Sequence, residues 1–189
     1  SRVTLVGVIS ADTQMLLPDF RSAERTFQLL TQVAGRAGRS TLAGEVVIQT
    51  HQPKHEALHH VLTHDFKSFY DEEKNLRTEL RYPPGSRLIL IEFKGKNENE
   101  VMNHAQTFAG YLKRQNQSSI ILGPSSAVLS KLKGNFRWHI VLKSKKETDP
   151  SGHQLHKVVE KALQSYRTSQ MGKSRLVQVM IDVDPVGMM

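Results

Sequence analysis

The sequence of 189 residues predicts an α/β protein with two folded parts joined by a helix. In the first part, two apolar runs flank one amphipathic helix, which is the pattern of a strand–helix–strand unit. In the second part, strands and helices follow one another in the order βαββαβ. A long helical stretch that ends at two prolines separates the parts. We therefore expect the chain to divide into residues 1–52, 53–85 and 86–189.

The charge balance predicts an anionic partner. The chain has 26 lysines and arginines against 18 acidic residues, a formal net charge of +8. Such an excess favours binding to nucleic acid, although a membrane surface or a ribosome would attract it equally. Because there is no cysteine, a disulfide framework and a thiolate metal site are excluded. With no membrane-length apolar run and no secretory signal, we expect a soluble, cytoplasmic protein without a membrane partner.

The first apolar run, residues 3–9, is continuous and predicts a buried parallel strand. Asp12 follows it, at the end of the strand where ligand crevices form in α/β sheets. The same position is equally typical of a simple turn aspartate. A second strand is predicted over residues 45–50, and the loop before the helix over residues 13–18. Since three elements are too few for a complete doubly wound sheet, we expect this part to be the end of a larger lobe.

The helix between the two strands has a clear apolar face and an unusual end. Its apolar residues recur at spacings of three and four, and they are Ala23, Phe27, Leu30 and Ala34. Asp19 is predicted to cap its N-terminus. Two glycines and two arginines follow, at Gly35, Arg36, Gly38 and Arg39. Arginine offers planar contacts to phosphate, and glycine permits close backbone approach. An ordinary helix C-terminus has the same residue types.

The string from Gln32 to Arg39, QVAGRAGR, resembles motif VI of superfamily 2 helicases. The longer string over residues 19–39 resembles the primosomal protein N′ family of replication-restart DNA helicases. This resemblance implies that residues 1–52 are the tail of a RecA-like lobe. It also implies that Arg36 and Arg39 face the triphosphate of ATP. The family pattern further implies that Gln32, Gly35 and Gly38 couple the nucleotide to lobe closure.

The connecting stretch, residues 54–81, is predicted to be helical with one break near His64 and Asp65. Tyr82-Pro83-Pro84-Gly85 ends it. Five histidines occur here, two pairs of them at a spacing of four that zinc accepts: His51, His55, His59, His60 and His64. No third ligand has a convincing spacing. We therefore predict no metal site and solvent-facing histidines.

In the second part we predict strands over residues 88–93, 120–122, 136–142 and 176–183, with helices over 98–115 and 153–166. Gly123-Pro124 should end or bend the second strand. The order βαββαβ predicts a ferredoxin-like fold, in which an antiparallel sheet has its helices on one face and leaves the other face for a partner. The resemblance to the C-terminal domain of the helicase family agrees with this prediction.

Basic residues surround a predicted tight turn in this part. We predict DNA contacts from Lys131, Lys133, Arg137, Trp138 and Lys143, with lysine and arginine on phosphates and the ring on a base. The alternative is that Trp138 belongs to the core and the lysines form a solvated rim.

The resemblance implies ATP-dependent DNA unwinding at stalled replication forks, followed by restart of replication. ATP and Mg²⁺ would act in the full-length protein, and zinc only in the full-length family. The chain has no G-x-x-x-x-G-K-[ST] phosphate loop and no D-E-x-H box, so alone it should not hydrolyse ATP. Implied partners are forked and single-stranded DNA, single-stranded-DNA-binding protein and primosome proteins. The alternatives are a non-enzymatic nucleic-acid-binding module and another superfamily 2 translocase.

Overall fold

A computed structural model describes residues 4–37, 44–116 and 118–188. The chain divides into two compact units, Ser1–Leu76 and Arg77–Met189. The stretch over residues 53–85, predicted to be a separate linker, is therefore shared between the two units. Among the described residues, no helix has both the length and the apolar character needed to cross a bilayer.

The first unit contains the predicted strand–helix–strand arrangement. Its first elements are β1 (Leu5–Val8), α1 (Asp12–Met15), α2 (Ser22–Ala34) and β2 (Glu45–Ile48). β1 and β2 pair in parallel, with Leu5 opposite Glu45 and Val8 opposite Ile48. The short helix α1 lies where the sequence predicted a loop. The parallel pairing of strands separated by helices confirms the prediction for this part of the chain.

Two details of the first unit differ from the prediction. The strands are not buried, since their side chains alternate between exposed and half-buried, and Leu5 is 60% exposed. Among the described residues of this unit only β1 and β2 pair, and the apolar core lies among the helices, with Val8 and Ile48 packed against it. The expected cap of α2 is also wrong, because the helix begins at Ser22 without a side-chain cap. Asp19 instead accepts a hydrogen bond from the backbone N–H of Arg21, in the turn before the helix.

The helical stretch that follows consists of α3 (Glu56–Thr63) and α4 (Phe66–Glu79). The break between them lies where it was predicted. His64 has a left-handed backbone with φ of 53°, and the Asp65 carboxylate accepts hydrogen bonds from the N–H and hydroxyl of Ser68. Helices α1 to α4 share one apolar cluster, Ala11, Met15, Phe27, Leu30, Ala57, Leu58, Val61 and Phe69. Helix α3 is therefore part of the core of the first unit.

The second unit has the predicted order of strands and helices, with one short helix added before the last strand. Its elements are β3 (Ser86–Gly95), α5 (Glu98–Gln115), β4 (Ile120–Leu132), β5 (Asn135–Lys145), α6 (His153–Thr168), α7 (Gln170–Lys173) and β6 (Val177–Val183). The sheet order is β4-β5-β3-β6, and all neighbouring strands are antiparallel. Strand β4 continues past Gly123-Pro124, where its register with β5 shifts, so this dipeptide bends the strand.

Both faces of the central strand β3 are buried. Alternate residues Ile89, Ile91 and Phe93 join the apolar core formed with α5 and α6. The residues between them point to the opposite face, yet Leu88, Leu90 and Glu92 are also below 9% exposure. The prediction that this face is left open for a partner is therefore wrong at its centre, where long side chains of β5 lie over the sheet.

Candidate functional site

The helix end that resembles motif VI presents its described polar side chains to solvent. Gln32 and Arg36 are exposed at the C-terminal end of α2. The N–H of Gly35 donates to the carbonyl of Thr31 and the N–H of Arg36 to that of Val33, so the chain continues as a helical turn. Gly35 has φ of −67°, a value open to any residue. Gly38 and Arg39 lie outside the described residues.

Asp12 joins the carboxyl ends of the two parallel strands. Its carboxylate accepts a hydrogen bond from the Thr50 hydroxyl at 2.7 Å and another from the N–H of His51 at 3.0 Å. The bond from Thr50, followed by that from His51, lowers the pKa of Asp12 below its usual value. The geometry thus favours the structural interpretation of Asp12, which fixes the loop after β2.

The tight turn between β4 and β5 carries two of the predicted DNA-binding residues. Lys133 and Gly134 both have positive φ, 49° and 75°, as a two-residue hairpin turn of the primed type requires. Lys131 and Lys133 are exposed, and the Lys131 ammonium lies 4.8 Å from the centre of the Phe136 ring. Both lysines therefore have the accessibility that a phosphate contact needs.

Arg137 is buried, and its guanidinium is bound by another side chain of the second unit. It lies on β5, and its guanidinium donates from both Nε and Nη2 to Oε2 of Glu92 on β3, the Nε contact measuring 2.7 Å. His139 Nε2 lies 3.0 Å from the same oxygen. Burial opposes ionisation of Glu92, but the bonds from Arg137 and His139 outweigh it and lower the pKa of this carboxyl. This geometry does not support a DNA contact by Arg137.

The ammonium of Lys143 is also bound by groups of the second unit. Its ammonium donates a 2.9 Å hydrogen bond to the carbonyl of Leu80, the residue that follows α4. The same ammonium lies 3.4 Å from the centre of the Tyr82 ring. Burial lowers the pKa of Lys143 below its ordinary value. Lys143 thus anchors the segment before β3 to the sheet, and the structure does not favour it as a phosphate ligand.

Trp138 lies on the helix-facing side of β5 and is half-buried. It packs against the core of the second unit, and its indole N–H is buried without a hydrogen-bond partner among the described residues. This placement favours the core alternative over base stacking. Of the five predicted contacts, Lys131 and Lys133 alone are exposed.

Sequence reasoning missed one lysine that the fold brings to the hairpin turn. Lys96 follows β3, and its Nζ lies 3.7 Å from the position that a Cβ on Gly134 would take. Lys96 is exposed, like Lys131 and Lys133. The signal in the sequence was its position just after β3, because β3 pairs with β5 and thus ends beside this turn. Sequence reasoning also missed Glu92 and His139, whose pairing depends on strand register.

Histidine side chains of the first unit do not form a metal centre. Within residues 4–37, 44–116 and 118–188, no group of three or more histidine, aspartate or glutamate side chains is placed to hold a metal ion. His60 is buried rather than solvent-facing, and its Nε2 lies 2.8 Å from a carboxylate oxygen of Glu72. His60 therefore serves the packing of α3 on α4.

A comparison with known protein families and curated proteins connects these features. Residues 78–186 match the family model described as primosomal protein N C-terminal domain. The chain is 42% identical over 188 residues to the replication restart protein PriA of Bacillus subtilis, which covers 99% of this chain and 22% of that protein. It is 41% identical over 144 residues to the protein of the same name from Synechocystis, covering 76% of this chain and 17% of that protein.

A third relative, the replication restart protein PriA of Haemophilus influenzae, is 34% identical over 97% of this chain and 24% of its own length. The chain thus spans about a quarter or less of the length of these relatives. The family match begins one residue after the start of the second unit at Arg77 and covers nearly all of that unit. The chain therefore belongs to the primosomal protein N C-terminal domain family.

Proposed function

We propose that this chain is the C-terminal part of an ATP-dependent DNA helicase that recognises stalled replication forks and restarts replication. The observation that carries the proposal is the family match over residues 78–186, which coincides with a compact, strongly basic unit. The motif VI string at the end of α2 adds a nucleotide-dependent element in the same chain. Relatives named as replication restart proteins span both units.

In this proposal the first unit is the end of a RecA-like lobe. Parallel strands are ordinarily covered on both faces, whereas Leu5 and Val47 are 60% and 52% exposed, which suits strands completed by further parts of a lobe. Helix α2 would carry Arg36 and Arg39 toward the triphosphate, where arginine stabilises charge on the transferred phosphoryl group. Gln32, Gly35 and Gly38 would couple nucleotide state to lobe closure.

The residues of this chain fit only part of an ATP site. Arg36 is exposed at the end of a 13-residue helix, as a phosphate contact requires. The sequence has neither a phosphate loop nor a D-E-x-H box for Mg²⁺, so the triphosphate and the metal would be held by other parts of the complete helicase. For zinc the residues do not fit, because the chain has no cysteine and the described residues form no three-ligand cluster.

The second unit would be a ferredoxin-like DNA-binding domain. Its strand order β4-β5-β3-β6 and its alternation of strands and helices support that fold assignment. Lys131 and Lys133, exposed at the hairpin turn, would contact phosphates of forked or single-stranded DNA. Single-stranded-DNA-binding protein and primosome proteins are the protein partners that we propose from the family.

A fluorescence-anisotropy titration of the chain with single-stranded and forked DNA tests this function. Affinity should fall steeply with salt, with a slope of about −0.7 per neutralised phosphate on single strands, and should depend little on sequence. Binding that ignores salt, or no binding at low salt, would assign the basic surface to another partner and contradict the proposal.

A further inference from the structure

The end of the β4–β5 hairpin has an irregular geometry that the fold alone does not require. Between two paired positions, β4 advances from Ser126 to Lys131 while β5 moves only from Trp138 to Phe136. Strand β4 therefore bulges outward between Ser126 and Lys131. We call residues 127–136 the hairpin tip, which comprises this bulge, the two-residue turn and the start of β5.

Positive charge at the hairpin tip is not balanced by acidic side chains. Lys131 and Lys133 belong to the tip, and Lys96 approaches its turn from the end of β3. None of the three forms an ion pair within the part of the chain that the structure describes. In the sequence, no aspartate or glutamate occurs between Glu100 and Glu147. Three exposed ammonium groups around one turn favour a polyanion.

The bulge also presents exposed apolar side chains on the strand that carries Lys131. Val128 and Leu129 are each 52% exposed, and they precede Lys131 by three and two residues. β4 is an edge strand of the sheet, where exposed apolar residues are a liability for aggregation. A surface that binds only phosphates would not need them, whereas proteins that open stacked bases commonly insert apolar side chains between base steps.

We propose that the hairpin tip binds DNA at the junction between duplex and single strand. Lys96, Lys131 and Lys133 hold phosphates near the junction, and Val128 and Leu129 pack against the last base pair of the duplex. Unstacking is least costly where a base has already lost a neighbour, so such a contact selects the junction over continuous duplex. This inference rests on the proposed DNA-binding function and specifies which DNA structure the tip reads.

The test compares the full chain with the double variant Val128→Ser/Leu129→Ser on three probes: a single strand, a blunt duplex and a fork with two single-stranded arms. We expect the double variant to lose about five-fold or more in affinity for the fork while staying within about two-fold on the other two probes, as for loss of one base-packing contact. Val183→Ser is the matched control, since Val183 is 47% exposed at the end of β6 that pairs with Ile89, whereas the hairpin tip lies beside Gly95 at the other end of β3. It should leave binding to all three probes unchanged.

The lysines provide a second, independent arm of the test. The triple variant K96Q/K131Q/K133Q should flatten the salt dependence on single strands by about 0.7 for each lysine that contacts a phosphate. K157Q, on the exposed side of α6, is the matched charge control. If the triple variant shows a salt dependence as steep as that of the wild-type chain, Lys96, Lys131 and Lys133 do not contact phosphates.

A direct readout does not depend on any variant. The probe places 2-aminopurine as the first paired base of the fork, and wild-type protein should raise its fluorescence. The reason is that the tip, packed on the last base pair, separates this base from the next base of the single-stranded arm. Unchanged fluorescence at saturating protein would overturn the inference. So would equal losses by the double variant on all three probes. If the wild-type chain binds none of the probes at low salt, the proposed DNA-binding function itself fails.

Discussion

The two units differ most in charge and in the burial of their sheets. Residues 77–189 hold 18 of the 26 lysines and arginines and 9 of the 18 acidic residues, whereas residues 1–76 hold 8 basic and 9 acidic ones. The second unit has a four-stranded sheet covered by helices, and the first has two parallel strands with exposed side chains. Net charge therefore identifies the second unit as the one that attracts a polyanion, while the first unit has Arg36 exposed after the end of α2.

The largest expected effect concerns the first unit. In the complete helicase, Arg39→Ala should reduce ATP turnover by roughly 10³-fold or more if the arginine acts on the transferred phosphoryl group. Steady-state hydrolysis with saturating DNA measures this. Arg21→Ala, at the other end of α2, is the matched control and should leave turnover nearly unchanged. A reduction of only a few-fold for Arg39→Ala would leave this residue as a helix-terminal cation.

The second expected effect belongs to the second unit. Glu92→Ala leaves the buried Arg137 and His139 without their carboxylate, which should lower the free energy of unfolding by about 3–5 kcal/mol. Urea unfolding followed by fluorescence of Trp138, the one tryptophan of the chain, reports on this unit. Glu147→Ala is an exposed control. A loss below about 1 kcal/mol would show that this cluster contributes little.

The boundary of the second unit can be tested by truncation. A fragment of residues 77–189 should be more stable than residues 87–189 by about 1–3 kcal/mol, because the shorter one loses the Leu80 carbonyl and Tyr82 ring that hold the Lys143 ammonium. Melts of both fragments measure the difference. Lys143→Met should shrink it, since no ammonium then needs these partners. Equal stability of the two fragments would place residues 77–86 outside the folding unit.

Acidification should destabilise the second unit in two steps. Burial, opposed by nearby Glu100, lowers the pKa of His104, so the unfolded chain takes up this proton first, and stability falls once the pH drops below about 6.5. Glu92 has a lowered pKa as well, so its contribution is lost only below about pH 4.5. Unfolding midpoints across about pH 2–8 measure both steps. His104→Gln should remove the first step, and an unchanged profile would contradict the assignment.

The smallest expected effect concerns DNA binding. Lys133→Ala should weaken binding to all sequences alike, by a few-fold, and flatten the salt slope by about one contact. Arg137→Gln should lower stability without changing that slope, because its head already binds Glu92. Anisotropy titrations at several salt concentrations separate the two. A larger slope change for Arg137→Gln than for Lys133→Ala would show that Arg137, and not the hairpin turn, contacts the phosphates.

Hydrophobic periodicity predicted most of the fold, since strands and helices of the second unit appear in the expected order. It did not predict burial on the far face of the sheet. Glu92, Arg137 and His139 come together only through the register of β3 with β5, which the pattern along one strand does not specify. The same limit explains the sites. The cluster of basic residues in the sequence predicted DNA contacts by Lys131 and Lys133 and equally by Arg137. Whether such a cation is free to meet DNA or binds a carboxylate depends on the face of the strand from which it projects.

The shared carboxylate of Glu92 has a consequence for how this protein can vary. One oxygen receives both Arg137 and His139, so any single replacement leaves a buried polar group stranded. Exchange of all three for apolar residues of similar volume could be neutral or even stabilising, since no buried charge would remain. Substitution at positions 92, 137 and 139 is therefore expected to occur as a set. Covariation among these positions in related chains would mark the same strand register wherever it is found.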